Sequence, residues 1–320
     1  MSIPATMTAV TYQRYGTPEV LNLQRLKTPT PKDNEVLVRV KASSINAGDW
    51  FLLTGKPYAM RLATGLFRPK RQLFGQDMAG VVVAVGQSVN RLRAGDEVYG
   101  EVPGALAEYI AVSETLLATK PTNLSFEDAA AVPIAGNTAL QGVRKAGVKA
   151  GHRVLINGAS GGVGSFAVQI AKALGAEVTA VCSARNRARV ESLGADDVVD
   201  YSEENFTHTD KRFHAVFDLV GSQPIRDCLN ILTPDGIYLS SVGSASWAMK
   251  AGFLSMRRAS RVMLLNATVD ASRLEELTPL IESGQVKPLI DQRFELTQVR
   301  EWARRQGDGH TQGKSTITLP

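Results

Sequence analysis

The sequence predicts a two-part α/β protein: a doubly wound parallel sheet with helices on both faces, joined to a compact barrel-like β domain. Three observations carry this. Residues 153–157 form a short apolar run that enters a glycine-rich turn, and a helical pattern follows over 166–174. Beyond the turn, apolar strand-like runs alternate with helix-like stretches as far as residue 267. Ahead of it, residues 3–112 break into many short strands punctuated by glycine and proline.

In chain order, the first strands are interrupted at Gly16, Pro18, Pro29 and Pro31, and residues 35–42 alternate well enough for a half-buried strand. Asn46-Ala47-Gly48-Asp49 comes next, followed by a polar and basic segment over 55–72. Phe74-Gly75-Gln76-Asp77-Met78-Ala79-Gly80 then leads into the apolar run 81–85, and further strands follow, the last over 104–112. A helix is expected over 124–131, with Ser125 as its cap and Glu127 and Asp128 in the first turn. After the glycine turn, 178–182, 197–201, 214–220, 236–242 and 261–267 read as strands, and 187–193 and 225–232 as helices. Strands this uniformly apolar are buried on both faces, as in a parallel sheet. The chain then returns to the first region: a helix over 272–283, a strand over 288–294, a helix over 296–306 and a closing strand over 315–319. The expected division is 1–128, 129–268 and 269–320.

Composition narrows the function classes. The length of 320 residues suits two domains, each with its own core. A net charge of +5 is spread along the chain except near 61–71 and 256–261, which favours solvated faces beside an anionic ligand over a polyanion-binding surface. Two cysteines, Cys182 and Cys228, cannot build a disulfide framework or a metal cluster, and the four histidines have no ligand spacing. The first residues lack the charged and apolar regions of a leader, and no apolar run reaches about 18 residues. A soluble, cytoplasmic protein with neither a nucleic-acid nor a membrane partner is expected.

The glycine turn specifies a ligand. Residues 158–164 contain four glycines, which let the backbone turn, approach a pyrophosphate and pack a helix on the strand, while the helix N-terminus holds the anion. The expected ligand is a dinucleotide. Gly158, Ala159, Ser160, Gly161, Gly162, Val163 and Gly164 would cradle it, and Val220, Gly221, Val242, Gly243 and residues 266–267 stand where later strands end. An NAD site places Asp or Glu at the end of the second strand of this region. Here Ser183-Ala184-Arg185-Asn186-Arg187 occupies that place, with no acid until Glu191. Ser183 and Arg185 suit a 2′-phosphate, so NADPH is the expected cofactor. Arg187 either joins them or faces solvent.

Gly151, Leu155, Ala159-Ser160-Gly161-Gly162, Gly164, Gln169 and Lys172 resemble the quinone oxidoreductase, zeta-crystallin-like branch of the medium-chain dehydrogenase/reductase superfamily. The first region resembles its GroES-like catalytic domain, so the resemblance covers the whole chain and implies a Rossmann domain beside that β-barrel. In zinc-dependent relatives a Cys-x-x-Asp and a Gly-His-Glu motif supply ligands. The matching residues here are Asn46 with Asp49, and Gly75-Gln76-Asp77, so the resemblance implies chemistry without a catalytic zinc. It also places Thr138 near the nicotinamide, although a plain helix cap explains Thr138 equally well. Tyr201 either reaches the 2′-phosphate or is a strand-end aromatic. Lys314 matches the tail that precedes the closing strand and joins the cofactor set, as does Asn46.

The implied reaction passes hydride from NADPH to a quinone or an α,β-unsaturated carbonyl in the cleft between the domains. Asn46 would donate a hydrogen bond to the acceptor oxygen, Asp49 would orient it, and Tyr58 would offer a phenolic proton. A homodimer is expected, with residues 261–267 as the pairing edge. A short-chain dehydrogenase would need Tyr-x-x-x-Lys, and no tyrosine has lysine four positions on. The alternative from another class is a non-catalytic nucleotide-binding or RNA-contacting crystallin-like protein.

Overall fold

A computed structural model describes residues 3–241, 261–265, 267–268, 271–309 and 311–320. The chain divides into two compact units: Met1–Ala135, Val269–Glu282 and Ile290–Pro320 form one, and Gly136–Thr268 with Ser283–Leu289 the other. This division differs at two places from the one expected. Residues 129–135 stay with the first unit, and residues 283–289 join the second. Gln169 explains the latter, since its amide donates to the Lys287 carbonyl and accepts the Lys287 N–H at 2.9 and 2.8 Å.

In the first unit β1 (Thr6–Thr11) and β2 (Asn22–Lys27) form an antiparallel hairpin. β3 (Glu35–Ser44), β4 (Asp77–Val85), β5 (Glu97–Glu101), β6 (Tyr109–Ser113) and β7 (Leu117–Thr119) belong to a larger sheet. Short helices α1 (Ala47–Thr54), α2 (Arg61–Thr64) and α3 (Phe126–Ala130) punctuate it. Ser125 caps α3 by accepting the Asp128 N–H, as its position predicts. β3 is longer than expected and buried on both faces. It pairs with β4 on one side and with β6 on the other, so Val36, Val38 and Val40 enter one core and Leu37 another. Register shifts at Leu37/Val38 and Val40/Ala42 mark bulges that bend this strand.

Helix α4 (Pro133–Lys145) leads from the first unit into the second. It starts five residues ahead of Thr138, which therefore stands in the helix interior, half-buried, and is not a cap. The second unit contains β8 (Arg153–Asn157), α5 (Gly162–Ala173), β9 (Glu177–Cys182), α6 (Arg187–Ser192), β10 (Asp197–Asp200), β11 (Phe213–Asp218), α7 (Ile225–Asn230), β12 (Leu232–Ser240) and β13 (Arg261–Leu264). The strands are all parallel, in the order β10-β9-β8-β11-β12-β13. That is the doubly wound topology, whose strand order reverses at β8 and opens a ligand crevice beyond its carboxyl end. Helix α5 begins at Gly162, four residues earlier than the periodicity suggested, because glycine's low helix propensity makes a packed first turn read as loop.

The chain returns as α8 (Ala271–Glu282), β14 (Ile290–Glu295), α9 (Val299–Gly307) and β15 (Lys314–Thr318). β15 pairs antiparallel with β3, placing Thr316 opposite Ser44. Continuing that register brings Lys314 alongside Asn46.

Candidate active site

Two sets of functional side chains emerge, one in each unit. In the first, β3 ends at Ser44 and α1 begins at Ala47, so Asn46 is the N-cap of a helix whose third residue is Asp49. The two form a capping box: Asp49 Oδ2 accepts the Asn46 backbone N–H at 2.8 Å. Gln76, just before β4, donates its amide to Asp49 Oδ1 at 3.2 Å. Asp77, wholly buried, accepts from the Ser44 hydroxyl, the Asn46 amide and the Ile134 N–H at 2.9, 2.8 and 3.0 Å. Lys314 enters from β15 and donates to the Ile45 backbone carbonyl, the Asn46 side-chain oxygen Oδ1 and Asp77 Oδ2.

All three ammonium protons of Lys314 are therefore spent inside the first unit. Lys314 sets the orientation of Asn46: an amide whose oxygen faces an ammonium must turn its nitrogen toward the carboxylates. One amide N–H of Asn46 goes to Asp77, and the other has only a 3.5 Å approach to Asp49. Burial raises the Asp49 carboxyl to about 7, helped by the negative charge of Asp77 and opposed by the Asn46 N–H and Lys314. Glu101, at the end of β5, is raised to about 7 for the same reasons, burial first and then Asp77 and Asp49. The cluster thus holds two carboxyl groups that titrate near neutrality. Tyr58 is not among these residues. It lies in the turn Tyr58–Met60, exposed, with the Arg61 guanidinium 4.8 Å from its ring centre.

In the second unit, the chain leaves β8 through Gly158, whose φ of +87° only glycine adopts freely. Gly161 is the N-cap of α5, and the N–H groups of Gly162, Val163 and Gly164 open that helix. A Cβ on Gly164 would lie 2.1 Å from the Gly158 carbonyl oxygen, so the turn and the first helical turn close on each other only with glycine there. This is a cradle shaped by backbone, with the positive end of a helix at its mouth.

At the neighbouring end of β9, Asn186 is buried and donates its amide to both Ser160 and Ser183 hydroxyl oxygens, at 3.0 and 3.2 Å. Each hydroxyl accepts this bond and keeps its proton to donate elsewhere. Arg185 is exposed and has no ion-pair partner among the described residues, whereas Arg187 reaches Glu191 at 3.7 Å. Tyr201 is exposed, and its N–H donates to the Cys182 carbonyl, which brings it beside Ser183. Asp200 also comes to this edge through β9–β10 pairing, but it is buried and its Oδ1 takes the Ser202 N–H and hydroxyl. At the end of β11, Asp218 takes the N–H groups of Val220 and Gly221, the Asn157 amide and the Tyr238 hydroxyl. Those two N–H groups therefore stabilise their own loop. Val242, Gly243 and residue 266 lie outside the described residues.

Sequence reasoning passed over Asn186, Asp77, Glu101 and Asp218 as site residues. Asn186 carried a signal, a short amide inside the loop that follows the second strand. Asp77 carried one too, standing in the Gly75-Gln76-Asp77 motif, whereas Glu101 and Asp218 became visible only in the folded chain.

Comparison with known proteins places this geometry. The description "Alcohol dehydrogenase GroES-like domain" matches residues 32–122, and "Zinc-binding dehydrogenase" matches residues 193–317. The chain is 37% identical over 304 residues to 2-methylene-furan-3-one reductase of Solanum lycopersicum, covering 91% of this chain and 73% of that one. It is 34% identical to the NADPH-dependent alkenal/one oxidoreductase, chloroplastic, of Arabidopsis thaliana, over 99% of this chain and 80% of that one. The solved quinone oxidoreductase from Coxiella burnetii superposes with a TM-score of 0.89 at 31% identity, covering 98% of this chain and all of the other.

The chain belongs to the medium-chain dehydrogenase/reductase family. It is an oxidoreductase with a GroES-like domain and a Rossmann domain. One family description speaks of zinc, and the residues at the corresponding place do not suit that ion. Asn46 and Gln76 offer neutral amides, and the Lys314 ammonium already neutralises Asp77, so there is neither a thiolate nor an imidazole to bind a metal. Among the described residues no group of three or more His, Cys, Asp or Glu is placed to hold one. His152 and His214 stack on each other at the start of β8 and β11, where His214 Nδ1 accepts the Arg153 N–H.

Proposed function

We propose that this oxidoreductase uses NADPH, without a metal, to reduce a quinone or an α,β-unsaturated carbonyl. The observation that carries the cofactor reading is the Ser160–Asn186–Ser183 set beside the glycine cradle. Two hydroxyls pinned by one buried amide, with Arg185 beside them and without an ion-pair partner among the described residues, make a site suited to a 2′-phosphate. The cradle takes the pyrophosphate at the Gly162, Val163 and Gly164 N–H groups, and Tyr201 flanks the phosphate edge. The relatives named for NADPH and for enone and quinone reduction support the same reading.

NADPH, when bound, supplies a hydride from its nicotinamide C4. The protein's own work is then to orient the acceptor and stabilise the charge that develops on its oxygen. Asn46 is placed for this, because Lys314 and Asp77 lock its amide while its second N–H is held weakly. Asp49, protonated up to about pH 7 by its burial, is the proton store next to Asn46 and Gln76. This assigns the proton to the carboxyl cluster in preference to the exposed Tyr58. The reading also keeps the edge strand β13 as the pairing edge of a homodimer, and the cytoplasm as its location.

Asn46→Ala tests the central role. Removing a donor of this type lowers kcat about 100-fold or more, so turnover of 1,4-benzoquinone or a simple enone should fall by that order with NADPH affinity unchanged. Equal turnover at equal affinity means Asn46 is not the donor.

A further inference from the structure

Residues 50–76 contain five cations, Lys56, Arg61, Arg68, Lys70 and Arg71, and no acidic residue. The same stretch exposes large apolar side chains: Leu62 at 77%, Leu66 at 55% and Phe67 at 89%. A soluble surface ordinarily scatters such residues singly. Here they fall within six consecutive positions, on α2 and the turn after it.

The turn is built to hold them out. Lys70 N–H donates to the Thr64 carbonyl at 2.8 Å, and the Tyr15 hydroxyl donates to the Gly65 carbonyl at 2.7 Å. Arg61 donates to the Gly55 carbonyl at 3.0 Å and its guanidinium packs over the rings of Tyr15 and Tyr58, at 4.4 and 4.8 Å. Arg61 is therefore part of the scaffold. Lys56, Arg68, Lys70 and Arg71 stay exposed, without a carboxylate partner among the described residues.

We propose that this segment docks the protein on an anionic lipid bilayer surface. Leu62, Leu66 and Phe67 enter the boundary between headgroups and acyl chains, and the four free cations meet the lipid phosphates. Charge complementarity selects this occupant. A second copy pairing through the same patch would bring the same cations against these, with no acid in the segment to offset them. A bilayer also accepts protruding side chains without needing a matching cavity, and an 89% exposed phenylalanine protrudes. Among the described residues no helix is long and apolar enough to cross a membrane, so the association is with the surface. This inference does not depend on the hydride-transfer reading.

The test is co-sedimentation of the purified full-length chain with phosphatidylcholine vesicles, with and without about 30 mol% phosphatidylglycerol, in about 0.1 M salt. Binding is expected to the anionic vesicles only and to weaken as salt rises. Leu62→Ser with Phe67→Ser should weaken it at least tenfold, and Lys70→Gln and Arg71→Gln about fivefold each. Thermal unfolding of all variants should match the parent, which separates lost docking from misfolding. Equal partition onto neutral and anionic vesicles overturns the proposal, as does anionic binding that these variants leave intact. A serine variant that changes the oligomeric state in gel filtration while vesicle binding persists assigns the patch to a protein partner and overturns it too.

Discussion

Replacing Asp49 with Asn should make the protein more stable at alkaline pH, with a smaller gain near pH 5 and almost none below pH 3.8. Asp49 is fully buried, and its carboxyl is raised from 3.8 to about 7, first by burial and then by Asp77. Because the native state binds this proton more tightly than the unfolded chain, its contribution is fully present below pH 3.8 and is lost as the pH climbs through 7. At 1.36 kcal/mol per pKa unit, the loss is on the order of 4 kcal/mol once the group is ionised. Asparagine preserves the shape without the charge. It can accept the Asn46 N–H as Asp49 does, and donate to Gln76 once the Gln76 amide turns over. Glu101 titrates in the same window and keeps a residual slope, eased because the negative charge of Asp49 is one reason it is raised. Urea unfolding at pH 5 and pH 8, followed by tryptophan fluorescence, reads this out, since Trp50 and Trp302 both belong to the first unit. The parent should lose stability between the two pH values and Asp49→Asn should lose much less. Equal destabilisation of the variant at both pH values, or a parent whose stability does not fall, refutes the argument.

Gly164→Val should abolish nucleotide binding and lower the melting temperature, because even its Cβ would sit 2.1 Å from the Gly158 carbonyl oxygen and 2.7 Å from the Ala159 Cα; calorimetry with and without NADPH shows both effects. Lys314→Met leaves Asp77 charged and buried without its cation, a loss of about 3–5 kcal/mol by the usual cost of breaking such a pair. Chemical denaturation measures it, and a cost below about 1 kcal/mol would mean that Lys314 does not neutralise the cluster.

Much of the second unit was legible because each of its elements is local. A five-residue apolar strand, a glycine turn and a helix lie consecutively, and the end of the second strand follows soon after. Ser125 capped its helix as expected because capping is decided within four residues. The first-unit cluster was only half legible. Asn46 and Asp49 stand together in sequence, but Lys314 reaches Asn46 across 268 positions and Asp77 across 237, through the pairing of β15 with β3. From sequence, Lys314 resembles a cofactor ligand. The strand register instead commits all its donors to the cluster, so its influence on a bound ligand passes through Asn46. Helix α2 was hidden for another reason, since four residues between a proline-containing turn and Gly65 show no readable period.

An NADPH site serving a reaction that needs no metal is the property on which every assigned role depends. Titration with NADPH and NADH, followed by NADPH oxidation with 1,4-benzoquinone, 9,10-phenanthrenequinone and a simple enone, with and without a chelator, tests this most directly. Preferred binding of NADPH and chelator-insensitive turnover are predicted. Failure to bind either nucleotide, or turnover that the chelator abolishes and zinc restores, would contradict it.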